Sequence, residues 1–248
     1  MKSLRKTLDL IEIIADVGNA GVRELSTRTN YPPATVHRII TTLAERGYLR
    51  QNPKNRHYSL STIFLQFADS VRQQFDLIAI SRPHLEHLGA DTGENVNLCV
   101  LDDFVVVYID HIHSQKHTLQ TFTRLGARVP LYATGVGKVY LSRMEPDELN
   151  NYLGRIKLER FTDKTITKRK DLLQELSLIR NQGYSIDNEE KEQGVRCVAA
   201  PIFRHNGLIK AAISLSGATQ WVTMERIESL AEAVIKCAEK ISSELGFK

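Results

Sequence analysis

Hydrophobic positions in the first third of the chain recur at helical spacing. Leu8, Ile11 and Ile14 lie three residues apart and predict a helix that ends at a following glycine. A second short helix is predicted over 22–29, and the turn YPP then leads into ATVHRIITTLAERGYLR. Apolar residues at i, i+3, i+4 and i+7 of that segment give a third helix one buried face and an end at Gly47. Its buried positions are Val36, Ile39, Ile40 and Leu43.

A small β-hairpin is predicted directly after the third helix. The segments 48–50 and 57–60 flank the turn QNPKNR, whose residues favour a tight connection. Lys54 and Arg56 then lie at the tip of the hairpin. Three helices followed by a basic hairpin predict a winged helix-turn-helix over residues 1–62.

The apolar stripe continues past the hairpin in the segment STIFLQFADSVRQQFDLI. It predicts a linker helix over 63–78, which is also a candidate dimer seam. Pro83 is expected to end this helical stretch, because an internal proline removes a backbone hydrogen bond. We therefore place the start of a second domain, residues 79–248, just after the linker helix.

The second predicted domain alternates strands and helices. NVNLCVL and FVVVYIDHI form one predicted strand pair, and GVRCVAAPIF and LIKAAISLS form another, joined by the turn His205-Asn206-Gly207. The segments KRKDLLQELSLIRNQG and 224–245 have helical periodicity. Antiparallel strands with helices packed outside them predict an α+β fold with a cavity on one face of the sheet.

Composition narrows the class of protein. With 42% hydrophobic and 25% charged residues, the chain has an ordinary globular profile. Asp9, Glu12 and Asp16 interrupt the N-terminal segment, which argues against a signal peptide, and no apolar run approaches the roughly 18 residues of a membrane span. Three widely spaced cysteines offer neither a disulfide framework nor a paired CxxC zinc site. We expect a reduced, cytoplasmic protein with no membrane contact.

Basic charge is concentrated in the predicted winged helix-turn-helix. Residues 1–75 carry 11 Lys and Arg against 6 Asp and Glu, whereas the rest of the chain carries 22 against 23. Such an excess suits a polyanionic partner, although a solvated basic surface gives the same count.

The exposed face of the third predicted helix carries the chemistry that base recognition needs. Short polar groups and a long cation reach base edges in the major groove, while bulky apolar groups face inward. Lys54 and Arg56 are expected to contact phosphates, which position the protein without reading the sequence. The candidate DNA contacts on the helix are Ala34, Thr35, His37, Arg38 and Thr41.

Several segments resemble the IclR family of bacterial transcriptional regulators, and the resemblance covers nearly the whole chain. They are SLRKTLDLIEII, ATVHRIITTLAERGYL, VPLYATGVGKVYLS, YSIDNEEKEQGVRCVAAPIF and AAISLSG. The resemblance implies a GAF-like domain that binds a small organic acid or related metabolite, a dimer or tetramer, and control of catabolic genes. It also implies a DNA contact for Arg5 and a polar pocket position for Asp187.

The residues of the second domain predict how an acid would bind. YATGVGKVYL runs from a strand end into a helix, so the first helical amides point outward and suit a carboxylate, although a simple tight turn has the same pattern. Two serines share one strand face, a cysteine does likewise on the partner strand, and EEKEQ is expected to form a solvated loop over the pocket. These groups favour a hydroxylated acid such as a sugar acid. The candidate effector contacts are Gly135, Val136, Asp187, Cys197, Ser214 and Ser216.

Cys197 is assigned to the wall of this pocket, and other roles stay open. An inert core thiol is one. A reactive thiol would make the protein a cysteine-dependent hydrolase or thiol redox enzyme, but Arg196 alternates to the opposite strand face and no orienting base is evident. His111, His113 and His117 are a metal candidate that lacks a clustered third ligand type.

The sequence as a whole predicts a homo-oligomeric repressor that is not an enzyme and uses no metal or cofactor. Its winged helices are expected to bind two half-sites of a palindromic double-stranded DNA operator, about one helical turn or a multiple apart. A small acid bound in the second domain would change the affinity for DNA. A DNA-architectural protein without a ligand pocket is the remaining alternative.

Overall fold

The computed structural model describes residues 2–73, 76–114, 116 and 124–247 of the 248-residue chain. The chain divides into two units, Met1–Asp76 and Leu77–Lys248. The first unit holds the predicted winged helix-turn-helix, and the second holds the predicted α+β fold. Each unit has its own buried apolar core.

The described residues of the first unit form helices and one small hairpin. In chain order they are α1 (Lys2–Val17), α2 (Val22–Thr29), α3 (Pro33–Glu45), β1 (Leu49–Gln51), β2 (Tyr58–Leu60) and α4 (Ile63–Gln73). The two strands pair antiparallel, and Tyr58 also exchanges backbone hydrogen bonds with Ala20. The apolar stripes of α1, α2 and α3 meet in one core, where Leu10, Leu25 and Ile40 are fully buried. The predicted winged helix-turn-helix is confirmed.

Polar contacts hold the turn between α2 and α3. Asn30 ends α2 in the left-handed conformation, with a φ of 57°, and Pro33 occupies the first position of α3, where its missing amide costs nothing. The Ser26 hydroxyl donates to the Tyr31 carbonyl at 2.6 Å, and the Tyr31 hydroxyl donates to the Asp9 carboxylate of α1. These contacts fix the direction in which α3 leaves the turn.

Within the described part of the second unit, six antiparallel strands form one sheet in the order β5-β4-β3-β8-β7-β6. The strands are β3 (Asn95–Asp102), β4 (Val105–Ile112), β5 (Arg128–Pro130), β6 (Ser185–Asn188), β7 (Val195–Phe203) and β8 (Ile209–Ala218). The helices are α5 (Asp76–Thr92), α6 (Gly135–Arg143), α7 (Pro146–Arg155), α8 (Arg169–Gln182) and α9 (Ile227–Glu244). The α+β class is confirmed, including the strand pair β7–β8 around the predicted turn.

Alternation along the central strands divides the second unit into two cores. On β7, Val198, Ala200 and Ile202 are fully buried in a core shared with α5 and α9. Ala199, between them, belongs to a second core with residues of α6, α7 and α8. On β8, Ala212 lies in this second core as well. Side chains of a strand point alternately to the two faces, so each strand serves both layers of helices.

A bulge in β4 changes the direction of its side chains. Tyr108 and Asp110 pair with consecutive residues of β3, so Ile109 between them has no direct partner. Tyr108 packs against the second core. Asp110 is buried and accepts a hydrogen bond at 2.7 Å from the Arg82 guanidinium of α5. The extra residue places Tyr108 and Asp110 on opposite faces of the sheet, as β-bulges can.

The prediction that Pro83 ends a helix is wrong, because α5 runs from Asp76 to Thr92 through this proline. Leu77, Leu85 and Leu88 of α5 are buried in the first core of the second unit. An internal proline costs about 3 kcal/mol, whereas burial of one leucine side chain stabilises by about 1.5–3 kcal/mol. Three buried leucines therefore outweigh the lost hydrogen bond.

The predicted linker helix over 63–78 is described in part. Helix α4 covers residues 63–73, and Asp76 begins α5. Residues 74 and 75 lie outside the described residues. The domain limits 1–62, 63–78 and 79–248 therefore stay a prediction.

Gly137 allows α6 to approach the segment before it very closely. A β-carbon at Gly137 would lie 2.2 Å from the Leu131 carbonyl oxygen, whereas one at Gly154 in α7 would meet no atom within 4 Å. We expect Gly137→Ala to lower the free energy of unfolding by about 1–3 kcal/mol, and Gly154→Ala to raise it by about 0.5–1 kcal/mol. Urea denaturation followed by the fluorescence of Trp221, the single tryptophan of the chain, measures both. Equal effects of the two substitutions would contradict the close approach.

Candidate functional site

A cavity of about 200 Å³ with several polar groups in its wall lies on the α6 side of the sheet. All six residues predicted to contact an effector are in its wall, together with nine residues that the sequence did not single out. Thr134, Asn97 and Tyr108 are among these nine, and Arg124 and Lys191 add two cations. The complete lining is Asn97, Tyr108, Arg124, Ala127, Val129, Thr134, Gly135, Val136, Asp187, Lys191, Glu192, Val195, Cys197, Ser214 and Ser216.

The N-terminus of α6 forms one end of the cavity. The Thr134 hydroxyl accepts from the Gly137 amide at 3.2 Å and donates to the Pro130 carbonyl at 2.9 Å, which caps the helix. For the amides of Gly135 and Val136, the described residues provide no acceptor. Two amides at the positive end of a helix dipole can hold an anionic oxygen.

A row of polar side chains crosses the sheet floor of the cavity. Asn97 of β3 donates its amide hydrogens to Ser214 at 3.3 Å and to Ser216 at 3.0 Å. Because both hydroxyl oxygens accept from Asn97, their own hydrogens remain available to a ligand. The Asn97 Oδ1 atom is buried and has no partner among the described residues. The period of two in N-V-N-L would have pointed to Asn97, since its neighbours Val96 and Leu98 face the other core.

Asp187 of β6 is a buried carboxyl in the cavity wall. It is 5% exposed, lies opposite Cys197 in the strand pairing, and accepts a hydrogen bond from the Glu190 amide at 2.7 Å. Burial raises the pKa of Asp187 to about 7, and the nearby Glu190 carboxylate also raises it. Close to neutral pH this group therefore exists in both its acid and its carboxylate form.

A buried ion pair lies beside Asp187, where a solvated loop was predicted. The Glu190 side chain, within the EEKEQ segment, is 5% exposed and accepts from the fully buried Lys138 ammonium at 2.5 Å. Lys138 also reaches Glu175 of α8 at 3.1 Å. The prediction of a solvated loop is wrong for Glu190, although Glu192 and Gln193 in the same segment are exposed. Pairing with Lys138 offsets the cost of burying the carboxylate.

The thiol of Cys197 has the environment of a cavity wall. Burial raises its pKa well above the ordinary value, and the neighbouring Asp187 raises it further. A nucleophilic or redox cysteine acts as a thiolate, which this environment disfavours. Arg196 faces away from the cavity and donates to the Asn188 side chain at 2.9 Å.

The histidines of β4 contact each other rather than a cluster of ligands. The Nε2 atoms of His111 and His113 lie 2.6 Å apart. Burial, followed by the charge of His113, lowers the pKa of His111. In the described ranges no three His, Cys, Asp or Glu side chains form a group that could hold a metal ion. His117, the third residue of the metal candidate, lies outside the described residues.

The predicted DNA contacts lie on the surface of the first unit. On α3, Ala34, His37 and Arg38 are exposed, and Thr35 and Thr41 are half-buried at the edge of the same face. The buried positions of α3 are the four that the sequence predicted, which are Val36, Ile39, Ile40 and Leu43.

Cations also project from the hairpin and from α1. Lys54 and Arg56 are exposed in the β1–β2 turn, where the Asn52 side chain accepts from the Lys54 amide at 2.9 Å. Arg56 adopts a φ of 60°. Arg5 is exposed on α1. These positions are compatible with phosphate contacts, and their role in binding stays a prediction.

Comparison with known proteins identifies both units. A family model described as Bacterial transcriptional regulator IclR C-terminal matches residues 69–243, and one described as IclR helix-turn-helix domain matches residues 3–53. No helix in the described part of the chain is long and apolar enough to span a membrane. The fold and both matches define the class as DNA-binding transcriptional regulators.

Relatives along the whole chain lead to the same class. The HTH-type transcriptional regulator KdgR of Escherichia coli strain K12 is 33% identical over 247 residues, covering 100% of this chain and 94% of KdgR. The transcriptional repressor IclR of the same strain is 32% identical, covering 99% and 90%. The crystal structure of Thermotoga maritima IclR has a TM-score of 0.84 at 33% identity, with 100% of each chain covered.

The chain belongs to the IclR family of bacterial transcriptional regulators. The matched domains and relatives are regulators of transcription and not enzymes. The alternative of a cysteine-dependent hydrolase or thiol redox enzyme built on Cys197 is therefore set aside.

The raised pKa of Asp187 predicts a pH-dependent stability. Between its ordinary value of 3.8 and about 7, the folded chain holds a proton that the unfolded chain releases, so the free energy of unfolding falls as the pH rises. Asp187→Asn cannot ionise. We expect its stability relative to the natural protein to increase by about 2–3 kcal/mol between pH 5 and pH 8.

Urea denaturation followed by Trp221 fluorescence at the two pH values measures this change. The matched control is Asp163→Asn, the same substitution at a fully exposed site. We expect little pH-dependent difference for the control. A pH-independent difference for Asp187→Asn would show that the carboxyl ionises normally in the fold.

Proposed function

We propose that the protein is a transcriptional repressor of catabolic genes whose affinity for DNA is controlled by a small hydroxylated carboxylic acid. The acid binds in the cavity of the second unit, and a sugar acid is the favoured class. The observation that carries this proposal is the meeting of two helix amides, two serine hydroxyls and a buried carboxyl in one small cavity. The six contacts are Gly135, Val136, Asp187, Cys197, Ser214 and Ser216.

Each end of the cavity suits a different part of such a ligand. The amides of Gly135 and Val136 would hold the carboxylate. Ser214 and Ser216 would donate to hydroxyl or carbonyl oxygens, and the free acceptor of Asn97 would receive a hydroxyl hydrogen. A ligand with one carboxylate and neighbouring hydroxyls satisfies all of these groups at once.

Repression is favoured by the names of several relatives. The IclR protein of Escherichia coli is named a transcriptional repressor, YiaJ of the same organism is named a DNA-binding transcriptional repressor, and a Salmonella typhimurium relative at 32% identity is named the acetate operon repressor. A regulator that binds the bacterial chromosome works in the cytoplasm, so the proposal places the protein there.

Binding as a homodimer or homotetramer is supported by apolar side chains in the first unit. Leu65 and Phe67 of α4 are 69% and 48% exposed, and Leu4 and Leu8 of α1 are 66% and 49% exposed. Leu4 and Leu8 are four residues apart and so share one face of α1, and an exposed apolar face of this kind suits an interface. Two copies of α3 would then bind the two halves of a palindromic operator, with half-sites about one helical turn or a multiple apart.

Arg38 and Lys54 are expected to contribute differently to DNA binding. Arg38→Ala should weaken binding to the operator about 10- to 100-fold and reduce the preference over random DNA, since it removes a base contact. Lys54→Ala should weaken binding to both DNAs about equally and lower the salt dependence by about one phosphate contact. Fluorescence anisotropy with labelled DNA from the upstream region of the gene measures both.

The matched control for these variants is Lys240→Ala, which removes one positive charge from an exposed site on α9. It should leave binding to both DNAs unchanged. An equal loss on operator and random DNA for Arg38→Ala would make Arg38 a phosphate contact. Absence of any preference for operator DNA by the natural protein would contradict the proposed function itself.

The ligand half of the proposal is tested by isothermal titration calorimetry with a panel of sugar acids and matched deoxy acids. The double variant Ser214→Ala/Ser216→Ala should lose about 10-fold or more in affinity for the hydroxylated acids, because ligand oxygens lose their donors. It should lose less for the deoxy acids. Ser177→Ala, at an exposed position of α8, is the control.

A preference for non-hydroxylated aromatic acids would contradict the sugar-acid class. Saturable heat from any small ligand would exclude a purely architectural protein.

A further inference from the structure

The corner of the cavity between α6 and β6 holds more buried acid than base. Glu190 and Glu175 share the single ammonium of Lys138, at 2.5 and 3.1 Å. Asp187 lies directly beside this group, since the Glu190 amide donates to its carboxyl at 2.7 Å. Asp187, Glu190 and Lys138 are buried, whereas the Glu175 side chain is 29% exposed, so with all groups ionised two buried carboxylates would share one buried ammonium.

Asp187 differs from Glu190 in the partners of its carboxyl. No ion pair to its carboxyl is found among the residues that the structure describes. Asp187 lines the same cavity as Gly135 and Val136, and a β-carbon at Gly135 would lie 3.6 Å from the Asp187 backbone nitrogen. A ligand carboxylate on the α6 amides would therefore enter next to an existing carboxyl group. Two carboxylates sharing such a site cannot both ionise without a large repulsion.

We infer that Asp187 is a specificity-determining residue that holds a proton in the complex, so that the cavity takes up a singly charged acid together with one proton. In this form the Asp187 hydroxyl donates a hydrogen bond to the ligand instead of repelling it. A second carboxylate, at the other end of the ligand, would have to lose its hydration beside Ser214, Ser216 and Asn97, which suit neutral hydroxyl groups. The cavity should therefore favour monocarboxylates over dicarboxylates of equal length. The inference rests on the proposed function, namely that the cavity binds a carboxylic acid.

The proton balance is simple. At a pH where free Asp187 is largely ionised, binding of one ligand anion is accompanied by transfer of one proton from solvent to the Asp187 carboxylate. Since free Asp187 titrates near pH 7, the affinity should be nearly constant below this pH and fall by up to about tenfold for each pH unit above it. Because Asp187 itself takes up the proton when the ligand binds, no other group in the cavity has to change its charge.

Other titratable groups face Asp187 from the elements around it. The cations are Lys138 on α6 and Arg124 and Lys191 at the cavity wall, and the acids are Glu190, which acts on the Asp187 carboxyl, and Glu192 at the cavity wall. Cys197 on β7 and Tyr108 on β4 stay neutral, because burial raises the pKa of both. The full set to be considered is Tyr108, Arg124, Lys138, Glu175, Glu190, Lys191, Glu192 and Cys197.

Calorimetry on the full-length protein tests this inference with gluconate, a polyhydroxy monocarboxylate, and glucarate, the dicarboxylate of the same length. If another acid of the panel binds more tightly than gluconate, that acid takes its place. Titrations at pH 8 in HEPES and in Tris, which differ in heat of ionisation, give the number of protons bound. We expect uptake approaching one proton in the natural protein, and binding of gluconate at least about tenfold tighter than that of glucarate.

Two variants assign the proton to a residue. Asp187→Asn is a neutral mimic of the protonated acid, so it should bind without proton uptake and change affinity less than about twofold between pH 7.5 and 8.5, where the natural protein loses about five- to tenfold. Glu192→Gln removes an exposed carboxylate from the rim of the same cavity and should keep the proton uptake.

The outcomes separate the inference from the proposed function. Binding of acids by the natural protein without proton uptake overturns the inference and leaves the proposed function standing. Unchanged proton uptake in Asp187→Asn also overturns it, because another carboxyl then takes the proton. Equal affinities for gluconate and glucarate overturn the charge selectivity. Absence of binding by every acid overturns the proposed function, and the inference falls with it.

Discussion

The register between β7 and β8 is the constraint on which the cavity depends. Cys197 pairs with Ser216 and Ala199 pairs with Ser214, so four side chains that belong to the cavity side are aligned across two strands. A slip of one residue by either strand would turn its two cavity side chains into the apolar core under α9 and bring large aliphatic side chains of that strand to the cavity side. The alternation that builds the apolar core therefore also fixes the polar floor of the site, and neither can shift without the other.

A buried ion pair, and not strand register, stabilises the charged corner next to this floor. Lys138 and Glu190 are both buried, and a buried ion pair contributes less to stability than its short distance suggests, because both ions lose their hydration. The pair joins α6, which begins at Gly135, to the segment that directly follows β6, the strand that carries Asp187. The pair fixes the orientation of these elements: removal of the Lys138 charge would leave the buried Glu190 carboxylate without its ammonium partner, and removal of the Glu190 charge would leave Lys138 with Glu175. The Glu190 carboxylate of this pair raises the pKa of the neighbouring Asp187.

Much of this architecture could be predicted from the sequence because it follows from local periodicity. The apolar spacing in α3, the glycine after α8 and the turn at residues 205–207 each specify an element through a few neighbouring residues. The six candidate effector contacts fall in one cavity, although the sequence analysis combined strand alternation with a family resemblance to select them. Asp187 in particular came from the resemblance, since nothing in its immediate neighbours marks a buried carboxyl.

What escaped prediction depends on distant partners. The charged run EEKEQ has the composition of a solvated loop, and only the Lys138 ammonium, about fifty residues earlier, makes the burial of Glu190 tolerable. Pro83 looked like a helix end until the burial of leucines on both sides of it was known. Strand alternation alone indicates the face of Asn97, but its hydrogen bonds to two serines more than a hundred residues away could not be predicted from neighbouring residues.

The position of Asp187 in an edge strand determines how far a substitution there disturbs the sheet. Strand β6 has four residues and lies at one edge of the sheet, paired on one side only with β7. A substitution there disturbs a single ladder, whereas one at Ser214 or Ser216 disturbs a strand with neighbours on both sides. A substitution in this edge strand can therefore change the ligand chemistry of the cavity while the pairing of the central strands stays the same.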